Sequence, residues 1–167
     1  MNIHVIIIIS IISFSIFYGK WNRWKDFYPT MYYFSFFNLF YQYISYSIDK
    51  VWELKKPIFS LFITDVSYTF LAYPCLMVMF LGNYPSVTRH KFLFYLKYIV
   101  LSIGLEWVCN KYGYIQYYNG WSVWWTAFFY STMYPMIRLH FKKPILALFI
   151  SGLIIAFYLT IFDFSIL

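Results

Sequence analysis

Charge is what this chain has least of. Only 11% of its residues are Asp, Glu, Lys or Arg, against about 25% in an ordinary soluble domain. Hydrophobic residues make up 62% of its 167 positions. A soluble fold of this size could not hide that much apolar surface, because its outer residues must still face solvent. Cysteine is nearly absent: Cys75 and Cys109 have no CxxC spacing, which argues against a metal site or a disulfide framework. No HExxH, GxSxG, P-loop or GxGxxG pattern occurs, so no sequence signature of an enzyme is present. Alanine is scarce while Ile, Phe, Tyr, Asn and Lys abound, a bias that AT-rich codons also produce.

What the chain does have is long apolar runs. A spanning helix takes about 20 mostly apolar residues. Six runs fit, at 3–18, 27–48, 58–81, 92–109, 121–137 and 145–163. They are continuous where barrel strands would alternate. The expected fold class is therefore all-α, a polytopic transmembrane bundle of about six spanning helices in one domain, 1–167. The first run, from Val5 to Tyr18, lacks a basic flank before it and a small-x-small site after it, so it reads as a mature helix and not as a signal peptide. Pro29, Pro57 and Pro144 fall near helix starts, while Pro74 and Pro135 fall inside spans and predict kinks.

The net charge of +7 is no nucleic-acid signal, because the basic residues sit in short clusters between apolar runs. The first, third and fifth loops hold eight Lys and Arg: Lys20, Arg23, Lys25, Arg89, Lys91, Arg138, Lys142 and Lys143. The second and fourth hold four: Lys50, Lys55, Lys56 and Lys111. Asp49 and Glu53 accompany the second-loop lysines. The bias predicts a cytoplasmic face on the odd loops and both termini outside. Residues 55–63, KKPIFSLFI, and 142–150, KKPILALFI, share seven of nine positions. That similarity fits an inverted repeat, but more simply it fits a generic way to begin a span.

Ionisable residues inside spans cost about 2.5–3.5 kcal/mol each and ask for a reason. Asp65 and Glu106 are both predicted in the outer half of the bilayer, on sequential and antiparallel helices. Facing each other, they would share a proton, bind a cation or hold a cationic substrate. Ser35, Asn38, Gln42 and Ser45 follow at helical spacing on one face of the second helix. Ser102 lies one turn from Glu106, and Ser122 with Thr126 enters from the same outer side. Asp65, Glu106, Gln42, Asn38, Ser102, Ser122 and Thr126 thus define a candidate polar chamber open outward. The plainer reading is interhelical hydrogen bonding, with Glu106 snorkelling at its helix end. Lys97 reads as a snorkelling cation more than as a partner for Asp65.

Trp21 and Trp24 read as inner interface anchors, and Trp121, Trp124 and Trp125 as an outer aromatic belt. The alternative is an aromatic lid over the chamber. Gly113 and Asn119-Gly120 permit turns with positive φ. His4, His90 and His140 are expected in tails or loops, on different sides, so no shared metal site is expected.

The stretch from the third helix onward resembles a family of small, uncharacterised integral membrane proteins of endospore-forming Firmicutes. The resemblance is carried by Asp65, Phe70, Tyr73-Pro74-Cys75, Tyr84-Pro85 and Glu106-Trp107. Further residues are Lys111-Tyr112-Gly113-Tyr114-Ile115, Tyr117-Tyr118-Asn119-Gly120-Trp121-Ser122, Trp124-Trp125, Arg138-Leu139-His140 and Lys143-Pro144. It implies a bacterial cytoplasmic membrane and no activity, cofactor or site. From the sequence, the favoured function is a non-enzymatic membrane accessory or assembly component. The alternative is a small binding or transport subunit with an outward-facing acidic site. Membrane lipids and other membrane proteins are the expected partners, with no nucleic acid, metal or cofactor and an unknown small ligand. A membrane enzyme would need a nucleophile and base at one depth, which the sequence does not display.

Overall fold

The computed structural model describes residues 2–47 and 50–164; Asp49 lies outside them. Among the described residues the chain forms six helices: α1 Ile3–Tyr18, α2 Trp24–Ser47, α3 Leu61–Gly82, α4 Thr88–Lys111, α5 Val123–Lys142 and α6 Pro144–Ile161. Two short strands, β1 Trp52–Leu54 and β2 Ile115–Tyr117, pair antiparallel. The protein is an all-α bundle with one small strand pair.

Three helices, α3, α4 and α6, are each long and apolar enough to cross a membrane. Joined across a short break, α1 and α2 give a fourth candidate, bent by 87°. The six expected runs all form helices, and by length and composition three of them, or four with the bent pair, suffice to cross on their own. α1 has 16 residues, fewer than a hydrocarbon core about 30 Å thick asks for. Lys25 and Asp26 dilute α2, as Arg138, His140 and Lys142 dilute α5.

The helix ends follow local chemistry. The Asn2 side chain caps α1 by accepting from the His4 N–H. α1 closes at Gly19, whose N–H donates to the Ser15 carbonyl at 2.7 Å. A Cβ on Gly19 would lie 2.3 Å from that oxygen. The two KKP segments start differently. Ser60 caps α3 by accepting from Ile63 N, so residues 55–59 stay outside the helix. In the second copy Ala147 replaces that cap, and α6 begins at Pro144. One turn before Pro74, residues Tyr68–Ala72 form a π turn. Pro74 offers no N–H and crowds the carbonyl four residues back, which a widened turn accommodates.

α3 is the central helix, with α1 on one side and α2 on another; α5 packs against α2, α4 and α6. The bundle has two distinct ends. Asn2, residues 50–57, 110–122 and 162–164 meet at one. Asn2 donates there to the Lys56 and Pro57 carbonyls, and Lys55 N to Tyr114 O. Residues 18–24, 82–88 and 138–144 meet at the other. Asn83 donates to Tyr18 O, and the Arg138 guanidinium lies 4.1 Å from the Tyr84 ring centroid. The main apolar core lies toward this second end: Phe27, Met77, Val78, Phe80, Leu81, Tyr134 and Ile137. Val51, Trp121 and Phe162 form a smaller core beneath the strand pair.

Candidate functional site: a roofed cleft between helices

α3 and α4 are pinned near the second end, where the Phe80 ring meets Phe94, Tyr95 and Tyr98. Toward the strand pair a cleft of ≈ 850 Å³ opens between α1 and α4, floored by α3 and α5. Ile7, Ile11, Phe14, Leu76, Leu101 and Met133 give it apolar walls. Polar groups gather at the strand end: Glu106, His4, Tyr68, Tyr73 and Tyr130. Leu54 and Ile115, from paired strands, line its roof. The outward opening expected from the sequence is therefore covered.

Glu106 is the best-supported group in the cleft. α4 runs to Lys111, so the carboxylate sits five residues inside the helix end and does not fray into water. Tyr117 donates to Oε1 at 2.9 Å, Thr126 donates to the same oxygen, and Tyr130 donates to Oε2 at 2.9 Å. Trp121 Nε1 donates in turn to Thr126 Oγ1 at 3.0 Å. The register behind this is simple. Ser102 and Glu106 are one turn apart on α4, and they meet Tyr134 and Tyr130, one turn apart on α5.

Asp65 belongs to a second cluster. Gln42 donates to its Oδ1 at 3.2 Å. Asn38 donates to Thr69 Oγ1, and Thr69 donates to the Asp65 carbonyl, each at 2.7 Å. Ser35 donates to the Thr69 carbonyl at 3.3 Å. The polar face of α2 is thus spent on α3. Asp65 is buried and outside the cleft lining. The two carboxylates do not face each other in one chamber. α4 lies chiefly on α5 and leaves the gap toward α3 open. Tyr73, on α3, lines the cleft.

Other candidates are distributed differently. Asn38 and Ser102 line the cleft, while Gln42, Ser122 and Thr126 do not. Ser122 precedes α5 without a side-chain cap. Lys97 is exposed at the far end of the cleft, 5.5 Å from the Tyr98 ring centroid, and makes no pair with Asp65. Trp21, Trp24 and Trp124 are exposed, but Trp121 is buried against Val51 and Phe162, and Trp125 packs on Phe162. Trp121 is thus a core residue and not a belt anchor.

Two histidines turn inward, contrary to their expected place in tails or loops. His4 is 1% exposed in α1; its Nε2 lies 2.8 Å from the Lys55 carbonyl and its Nδ1 3.1 Å from Tyr68 Oη. His140 is buried in α5, where its Nδ1 lies 3.0 Å from Thr30 Oγ1 and its ring stacks on Tyr33. The fifth loop shrinks to Lys143 alone. The sequence reading missed Tyr117, Tyr130 and Tyr73. The spacing of Thr126, Tyr130 and Tyr134, four residues apart on one helix face, was the available signal.

The roof has its own polar knot. Glu53 bridges Lys50 at 3.0 Å and also pairs with Lys55, while Tyr118 Oη donates to it at 3.2 Å. Burial works to raise the Glu53 carboxyl. Hydrogen bonds and charge from Lys55 and Lys50 together outweigh it and hold the group below its usual range. The hydrogen bond to Glu53, with a further one to Tyr118, holds Lys55 above its own. Tyr41 clasps the strand from below: its hydroxyl donates to Trp52 O at 2.7 Å and accepts from Trp52 N at 3.1 Å.

Fold and site together define a helical protein with membrane-compatible helices around a roofed cleft carrying one carboxylate. Comparison with protein-family models, curated proteins and solved structures finds no match.

Proposed function

We propose that this chain is a multi-pass, non-enzymatic protein of a bacterial cytoplasmic membrane that binds an amphiphile in the cleft between α1 and α4. The observation that carries this reading is the cleft's asymmetry: ≈ 850 Å³, apolar along its walls and polar at its roofed end. Volumes of roughly 300–1,000 Å³ with few polar groups are typical of small-molecule sites. A roof over the strand end and an opening between two helices favour entry from the lipid side.

The two ends also differ in charge. Eight Lys and Arg gather at the end holding residues 18–25, 82–91 and 138–143, and Lys50, Lys55, Lys56 and Lys111 at the other. That bias supports a reading with both termini and the strand pair outside. The bacterial setting rests on the family resemblance. Exposed apolar faces on α4 and α6, such as Leu93, Trp107, Ile145 and Phe149, suit lipid or other membrane proteins as neighbours. The cleft favours binding over the accessory role expected from the sequence.

The test is mass spectrometry of the intact protein released from nanodiscs. Leu101→Trp and Leu76→Trp fill the cleft without touching its polar end. Both are expected to remove co-purifying lipid that the unaltered protein retains. Equal occupancy in all three proteins would sink the reading.

A further inference from the structure

We infer that the cleft takes a cationic amphiphile, with its ammonium at Glu106 and its hydrocarbon along α1 and α4. This rests on the amphiphile-binding reading above and adds the chemistry of the head.

Glu106 is a carboxylate held at membrane depth by neutral donors only. Tyr117, Thr126 and Tyr130 are hydroxyls. Among the described residues, ion pairs join Arg23 with Asp26 and Glu53 with Lys50 and Lys55, and none reaches Glu106. An ionised carboxylate out of water is costly without an opposite charge. Its Oε1 accepts two hydrogen bonds and its Oε2 one, which leaves Oε2 room for a further donor. The cleft is the open side of the group, so a ligand can supply both the missing donor and the missing charge.

Aromatic groups support the same choice. Tyr68, Tyr73, Tyr130, Tyr134 and Phe129 line the cleft. Rings around a carboxylate suit an ammonium, because their faces carry negative potential. The Tyr73 side chain lines the cleft, and among the described residues its hydroxyl makes no hydrogen bond. Its lone pairs can accept from a cationic donor in the cleft. The far end of the cleft holds Lys97, nine residues or about 14 Å along α4. That cation repels an ammonium and sets the ligand's direction. An anionic head would meet Glu106 unfavourably.

The recognised chemistry is an ammonium on a hydrocarbon chain, whether from a free long-chain amine or from an ethanolamine lipid. Equilibrium binding to the full chain in phosphatidylcholine nanodiscs tests it with dodecylamine, dodecanol, dodecanoate and added phosphatidylethanolamine as probes. Dodecylamine is expected to bind roughly tenfold or more tighter than dodecanol, as a charge-assisted bond predicts, with dodecanoate weakest. Phosphatidylethanolamine that displaces dodecylamine would assign the head to a membrane lipid; failure to displace it would assign a free amine. Glu106→Gln should abolish the preference for the amine over dodecanol. Tyr73→Phe, which keeps the ring and the fold, should weaken the amine severalfold and carries the test if Glu106→Gln does not fold. Equal binding of amine and alcohol, or a preference for dodecanoate, would overturn this inference and leave the amphiphile reading intact. Binding of none of the four would overturn both.

Discussion

At the scale of single residues, the molecule spends its few charges carefully. Glu106 rests on hydroxyls from β2 and α5, and Thr126 is the hinge of that arrangement. It donates to Glu106 and accepts from Trp121 Nε1. Thr126→Val keeps the shape and removes both bonds. It should cost about 1–3 kcal/mol, the price of stranding buried polar groups. Chemical unfolding in detergent micelles measures it, and a change within error would mean that the hydroxyl network adds nothing. Glu53 yields a pH dependence. Its folded pKa lies below the unfolded one, so it stabilises above the unfolded value and that contribution is lost as pH falls through the folded value. Melting temperature should therefore drop from about pH 6 to about pH 3, and Glu53→Gln should flatten the drop. An unchanged slope in the variant would assign the effect elsewhere. Lys55 behaves oppositely: its raised pKa stabilises at lower pH and stops doing so only as pH rises through the folded value.

At the scale of elements, α1 and the strand pair are the pieces that shape the cleft. The link that follows α1 lies against α3 through glycine contacts. A Cβ on Gly82 would come 2.7 Å from Lys20 Cβ, and one on Gly19 would come 3.0 Å from Val78 Cγ1. Gly82→Val should push the start of α2 off α3 and destabilise by about 1–3 kcal/mol. A disulfide or spin-label distance between α1 and α3 would lengthen; a distance that stays put would show that the contact yields. The strand pair depends on Tyr41, which holds both polar groups of Trp52 and stacks on its ring at 4.8 Å. Tyr41→Phe leaves the stack and removes the hydroxyl. Hydrogen exchange at Lys55 N and Tyr118 N, which close the pair against Tyr114 O and Val51 O, should speed up. Unaltered exchange would place the roof's stability in the Glu53 knot instead.

At the scale of the whole molecule, the decisive features are two ends of unlike charge and a core concentrated toward one of them. Phe27, Phe80 and Tyr134 close the bundle near the basic end, and the cleft lies between that core and the strand-pair roof. Cysteine labelling of intact cells tests the orientation. Lys111→Cys should react with an impermeant maleimide from outside, and Lys20→Cys should react only after permeabilisation. The reverse pattern would invert the proposed sidedness and expose the strand pair to the cytoplasm.

Much of the fold was legible from the chain alone, because continuous apolar runs admit few structures other than helices when charge is this scarce. The six helices, the turns at Gly113 and Asn119-Gly120 with positive φ, and the interest of Glu106 all follow from residue chemistry and spacing. The strand pair was not legible: β1 and β2 are three residues each and 60 positions apart, too short for any periodicity to appear. Nor was the separation of Asp65 from Glu106, which depends on α4 leaning on α5 and not on α3. Hydropathy decides which segments become helices, since it reports each residue's own preference between water and hydrocarbon. Which helices touch, and what gap they leave, is decided by side-chain shapes meeting across long sequence distances, and that exists only in the folded molecule.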